Sequence, residues 1–243
     1  MSKVSRQLML MTAIERGFRT AIYQEKNRYI RQSALDWTRN RTLSEASFEA
    51  HTQNMQDIFN QYYAKTIQRF TVEISQQMES EKKATLWEHL LMQWISNYGG
   101  SKAKETATTT RKDINRVLNI AFESELPADK VIRSILSARG ISAWRSATIA
   151  RTETSAAASH ASYGTAKSIE ADTGVRRKKA WNPVEDDRTR ESHIAMGSYP
   201  AIGLDEYFIV GGESMLRPND QGASAENVIN CRCVLTYESA YAF

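Results

Sequence analysis

Apolar residues recur along the first hundred positions at the spacing of a helix face. Leu8, Met11, Ile14, Phe18 and Ile22 follow one another at steps of three and four, which stacks them on one side of an α-helix. Phe59, Tyr63, Ile67, Phe70, Ile74 and Met78 repeat the pattern more cleanly, with the polar stretch Asn40 to Ser47 as the break between the two. Leu86, Trp87, Leu90, Leu91, Trp94 and Ile95 supply a third apolar face. Such stripes predict the core of a helical bundle. The glycine pair in Asn97-Tyr98-Gly99-Gly100 predicts a stop, because Gly tolerates the left-handed conformation at a helix end.

Ser101 to Thr110 is small and polar, which predicts a linker. A second helical block follows, with Ile114, Val117, Leu118, Ala121 and Phe122 on one face and, beyond Pro127, Val131, Ile132, Ile135 and Leu136 on another. Gly140 is expected to close it, and Ser142 to cap a helix from Ala143 to about Ser168. That helix is rich in Ala and small polar residues, so a neighbouring element can approach closely, although Gly164 weakens it locally.

From Gly174 onward the texture changes. This segment holds three of the four prolines and six of the eleven glycines, and they separate short apolar runs such as Tyr207–Val210 and Val234–Tyr237. The pattern predicts an α+β chain with a helical region over 1–100 and a helical middle over 101–174. A small β-rich module over 175–243 follows, packing on the 143–168 helix.

Composition narrows the class. Two cysteines one residue apart exclude a disulfide scaffold. No run approaches the roughly 20 apolar residues of a membrane span. The run Leu8–Met11 is followed at once by Glu15, Arg16 and Arg19, unlike a secretory signal. A soluble protein made in a reducing cytoplasm is the expectation. Charge is uneven. Residues 1–100 carry 13 basic against 10 acidic residues, 101–182 carry 15 against 8, and 183–243 carry 4 against 10. A basic middle beside an acidic end suits segments with different partners, and equally suits ordinary solvated surface.

The sharpest local feature is Asn230-Cys231-Arg232-Cys233. On a strand, residues two apart face one way, which would put both sulfurs on the same side. His193 is the single histidine of the tail, and Asp186, Asp187 and Glu226 lie nearby in sequence. One His and two Cys can hold Zn²⁺, with a carboxylate or water as fourth ligand. The plainer alternative is two reduced cysteines in the core of a hairpin. A zinc- or cysteine-dependent hydrolase on His193, Cys231 and Cys233 is the enzymatic reading, with Asp187 orienting the histidine. Arg176-Arg177-Lys178-Lys179, with Trp181 close behind, is a compact basic run. It would serve a DNA-binding accessory protein through phosphate contacts and stacking, or be a charged turn leading into a strand.

The ordered set of short motifs from Ile149 to Cys233 resembles the C-terminal domain of phage head-morphogenesis proteins, the minor capsid family typified by protein F of phage Mu. The pieces are Ile149-Ala150-Arg151-Thr152-Glu153, Lys179-Ala180-Trp181, and Asp187-Arg188-Thr189-Arg190 with His193 three residues on. Pro218-Asn219-Asp220 and Glu226 follow, leading into Asn230-Cys231-Arg232-Cys233. The resemblance implies a structural protein of the virion head, made in the host cytoplasm and present in few copies. Its implied partners are the portal and the major capsid or scaffold proteins, with phage DNA as a further one and no membrane. It implies a structural and assembly role, not catalysis; no cofactor is expected, with zinc on His193, Cys231 and Cys233 the candidate that the residue types offer. Arg151, Glu153, Trp181, Asp187, Arg190, Glu226 and Asn230 are the motif residues, expected to support the fold. Arg151 and Glu153, two apart on a helix, point in different directions, and ion pairs to Arg188 or Asp187 are expected of them. Asp187, Arg190 and His193 are expected to brace the tail loops against the helix.

Overall fold

The computed structural model describes residues 1–80 and 86–240. Three long helices dominate: α1 (Lys3–Asn40), α2 (Glu45–Gln77) and, later, α6 (Arg139–Thr173). Between α2 and α6 come α3 (Leu86–Trp94), a π-helical turn (Ile95–Gly99), α4 (Gly100–Glu123) and α5 (Ala128–Ser137). After α6 the chain forms β1 (Arg177–Asn182), α7 (Glu191–Ala195), a 3-10 turn (Met196–Ser198), β2 (Ile202–Gly203), β3 (Phe208–Val210), β4 (Glu213–Met215), α8 (Ala225–Val228) and β5 (Val234–Ser239). The architecture is α+β, with every described strand C-terminal to the long helices.

The chain divides into two compact units, residues 17–61 with 95–150, and residues 1–16 with 62–94 and 151–243. The all-helical unit packs Tyr29, Ile30, Ala34 and Trp37 of α1 with Ile114, Leu118 and Ala121 of α4 and Val131 and Ile135 of α5. Its buried polar centre is Glu25. Arg28 donates to both carboxylate oxygens at 2.7 Å, and His51 Nδ1 lies 2.8 Å away with its ring stacked on Tyr29.

The second unit builds its core from Ile74 of α2, Ala166 and Ile169 of α6, and Trp181, Phe208, Val210, Met215, Leu235 and Tyr237 of the strands. β1 is the middle strand of an antiparallel sheet ordered β2-β1-β5, with Lys179 opposite Ile202 and Tyr237, and Trp181 opposite Leu235. β3 and β4 form a separate hairpin. Its two-residue turn is Gly211-Gly212 with φ of +59° and +84°, the left-handed pair that a type I′ turn demands.

Three expectations from sequence are corrected. Ser101–Thr110 is helical rather than a linker, lying within α4 with Ala103, Thr106, Ala107 and Thr110 buried on one side. The pattern there is one of size: small residues at helical spacing pack a face without looking hydrophobic. Gly99-Gly100 does not stop the helix. Gly99 has φ −61° and ψ −30°, the ordinary right-handed conformation, and a Cβ on Gly100 would lie 3.1 Å from the Ile95 carbonyl oxygen. The pair serves close backbone approach in the π-helical turn. Gly140 and Ser142 both fall inside α6. Ser142 is buried and its carbonyl accepts from Ser146 Oγ at 2.6 Å, so it is an interior residue and not a cap. Among the described residues no helix is long and apolar enough to cross a membrane.

Candidate functional site

The strands of the small module are short, and one side of α6 supplies what they lack. Two asparagines of the module have left-handed backbone, Asn219 at φ +55° and Asn230 at φ +60°. Asn tolerates this conformation better than most residues do. Both are tied to α6. Arg151 Nη1 donates to Asn230 Oδ1 at 3.0 Å, and the Asn230 amide donates to Thr152 Oγ1 at 3.0 Å. Asn219 Nδ2 donates to Ser155 Oγ at 2.7 Å, and two turns further along the Ser162 and Tyr237 hydroxyls meet at 3.0 Å. Arg151 also pairs with Glu15 at 3.2 Å, while Glu153, buried, accepts from the Tyr63 hydroxyl at 2.6 Å. The ion pairs expected between Arg151 or Glu153 and Arg188 or Asp187 are replaced by these contacts.

The left-handed turn at Asn230 delivers the next residues into the core. Cys231 and Cys233 stand just before β5 rather than on a strand, yet both sulfurs converge on one atom. His193 Nδ1 lies 3.6 Å from Cys231 Sγ and 3.5 Å from Cys233 Sγ. The imidazole comes from α7 and is held on its far side, where Nε2 meets Asn227 Oδ1 at 3.3 Å. The Asn227 amide is itself fixed by donating to the Val210 carbonyl. Trp181 packs edge-on against the imidazole, with centroids 5.6 Å apart. The three ligand atoms lie within 4.8 Å of one another, and the residues are sealed, with exposures of 1%, 3% and 2% for His193, Cys231 and Cys233. The sulfurs titrate as a pair. The hydrogen bond from Cys233, then His193, draws the Cys231 proton off well below the ordinary thiol range despite burial. The same bond and burial hold the Cys233 proton far above it.

Around this cluster the charged motif residues divide. Asp186, not Asp187, is the anchor: Arg232 forks onto its two oxygens at 2.6 and 2.5 Å, and the Arg188 amide and Thr189 hydroxyl add bonds at 3.1 Å. The Arg232 guanidinium holds the Asp186 carboxyl well below the usual carboxylate range. Asp187 is exposed. Arg190 donates to the Ile229 carbonyl at 2.7 Å, which braces the loop before Asn230 from within the module rather than against α6. Arg190 and the exposed Glu226 border an open hollow of about 440 Å³ with Ser192, Gly211, Glu213 and Asn227.

The basic run does not form one surface. Lys179 is fully buried, its ammonium donating to the Leu204 and Leu216 carbonyls at 2.7 Å each and lying 5.3 Å from the Tyr163 and Phe208 ring centroids. Strand alternation on β1 turns Lys178 outward and Lys179 inward with Trp181. Arg177 is half-buried and donates to Ser239 Oγ, and Arg176 is exposed, 3.8 Å from Glu170. Lys179 is therefore removed from the nucleic-acid set, and the Trp181 ring, 1% exposed, has no face free for a base.

The order of these pieces along α6, β1, α7 and β5 matches a known pattern. A family model described as phage Mu protein F like protein matches residues 92–236. The chain belongs to that family. The match to the phage Mu protein F like family covers more than half of the chain and takes in α6, all five strands except the last residues of β5, and the His193–Cys231–Cys233 cluster. A relative in Bacillus subtilis (strain 168), the uncharacterized protein YqbB, is 24% identical over 227 residues, spanning 90% of this chain and 70% of its own length. No solved structure matches. Sequence reasoning missed Asn227, the anchoring by Asp186, the tie from Asn219 to α6 and the burial of Lys179. Strand alternation through Trp181 was the available signal for Lys179, whereas Asn227 carries none.

Proposed function

We propose that the protein is a minor capsid protein of a tailed phage, incorporated in few copies near the portal and supporting head assembly, DNA packaging or delivery. Membership of the phage Mu protein F like family, over the module and the helix that braces it, carries this reading. In it the motif residues work on the fold: Arg151, Glu153, Arg190 and Asn230 all spend their polar groups on internal contacts. A catalytic cysteine would have to reach a substrate, and the 1–3% exposure of the His193–Cys231–Cys233 cluster supports a role without catalysis. Contacts with capsid partners would use exposed apolar side chains such as Ile120, Phe122 and Trp144, which are 55%, 53% and 69% exposed. Large exposed apolar side chains are common at protein interfaces.

The test is quantitative mass spectrometry of purified particles made by the phage that encodes the chain. The expected result is this polypeptide at a low, reproducible ratio to the major capsid protein, in full heads and in empty precursors alike. Its absence from both would overturn the reading.

A further inference from the structure

We propose that His193 Nδ1, Cys231 Sγ and Cys233 Sγ bind a single Zn²⁺ ion that cross-links the small module. The distances are those of a tetrahedral ion's ligands. With Zn–S of about 2.3 Å and Zn–N of about 2.0–2.1 Å, a tetrahedral angle places sulfur and nitrogen about 3.6 Å apart. The two distances found are 3.6 and 3.5 Å.

Convergence on one atom separates this arrangement from ordinary packing. A neutral imidazole nitrogen offers one in-plane lone pair, which can accept one S–H bond well but not two. A cation in front of that lone pair accounts for both sulfurs at once. The tautomer is set for it, because a proton on Nε2 is held by Asn227 Oδ1 and leaves Nδ1 bare toward the sulfurs. Asn227, fixed by Val210, is then the outer partner that metal-ligating histidines characteristically have.

Charge balance favours the same answer. Zn²⁺ with two thiolates and a neutral imidazole is electrically neutral. A neutral complex suits the apolar core cluster that holds both cysteines together with Trp181, Met196, Phe208, Val210 and Met215. Among the described residues no further His, Cys or carboxylate joins the group, so the fourth position falls to water. The ion ties α7 to the approach of β5 across a separation of about 40 residues. That is a staple of the kind small modules with short strands use.

The full chain, purified under reducing conditions, is assayed for metal by mass spectrometry. About one zinc per chain is expected, falling to background in Cys231→Ser and Cys233→Ser and strongly reduced in His193→Gln. Since those variants can fail to fold, the wild-type chain is also titrated with a mercurial while zinc release is followed; release should track the modification of two thiols. Reconstitution with Co²⁺ should give sulfur-to-cobalt charge-transfer absorption. Wild-type protein holding less than about 0.1 zinc per chain, against the tight retention of structural zinc sites, and showing no such band with Co²⁺, overturns the proposal. So does zinc that stays bound in both cysteine variants or leaves without thiol modification.

Discussion

Replacing Asn230 tests the idea that the module's entry into β5 is held by a left-handed turn pinned to α6. Two terms act at this residue. Its backbone sits at φ +60°, where an L-residue with a Cβ loses about 1 kcal/mol or somewhat more relative to glycine. Its side chain accepts a hydrogen bond from the Arg151 guanidinium at 3.0 Å. A bond to a charged donor contributes about 1.5 kcal/mol, and about 1 kcal/mol is the better figure for an Arg151 that is 27% exposed and shared with Glu15. Asn230→Ala loses the bond and keeps the backbone penalty, so it should destabilise by about 1 kcal/mol. Asn230→Gly loses the bond and relieves the penalty, so it should cost about 1 kcal/mol less than the alanine change. Both keep the amide bond to Thr152 Oγ1. Urea unfolding of the two variants, together with Arg151→Ala and the double variant Arg151→Ala/Asn230→Ala, gives the separate terms. The expected coupling between Arg151 and Asn230 is about 1 kcal/mol. Glycine as damaging as alanine would refute the backbone term, and coupling below about 0.3 kcal/mol, the scatter for independent sites, would refute the bond.

Burial pulls the Lys179 ammonium down to about 8, while in the unfolded chain it titrates near 10.4. The unfolded state binds more protons between those values, so the penalty Lys179 imposes is full below about pH 8 and fades as pH rises to about 10.4. Lys179→Met should lack that rise, so the wild-type-minus-variant stability should climb between about pH 8 and 10.4, a subtraction that cancels Lys26, which burial also brings down to about 8. Asp186 has the opposite sense: held low by Arg232, it contributes stability above the ordinary carboxylate range that is lost as pH falls through and below that range. Acid unfolding of Asp186→Asn should therefore show a shallower loss than wild type, and an unchanged acid limb would refute the pairing. At the β3–β4 turn, Gly212→Ala places a Cβ at φ +84° and should cost about 1 kcal/mol or more by thermal unfolding.

The long helices were legible because large residues fill their buried faces. Every member of the Phe59, Tyr63, Ile67, Phe70, Ile74, Met78 stripe is buried. The start of α4 was not legible, since Ala103, Thr106, Ala107 and Thr110 pack by smallness, a property hydropathy does not register. The ligand trio could be named from residue type, but its convergence depends on Asn230 and on Asn227, which sequence alone does not place beside His193. Lys179 was misread because charge usually means surface, whereas here two carbonyls aimed inward satisfy the ammonium. Asp186 and Asp187 are neighbours of one type, and the choice between them depends on the position of Arg232, 46 residues away.

The pairing of β1 with β5 sets an order of events during synthesis. Trp181 meets Leu235 across the ladder, and α6 reaches Asn230 through Arg151, a separation of 79 residues. Such distant closures are slow relative to helix formation. A nascent chain extending to β4 has made α6, Trp181 and Phe208, yet it lacks the strand and the cysteines that complete their burial. Until residues 234–239 leave the ribosome, those aromatic rings stay partly uncovered, a state in which sticky surfaces attract other chains and chaperones. The module therefore closes late and as a whole, on the arrival of its final strand.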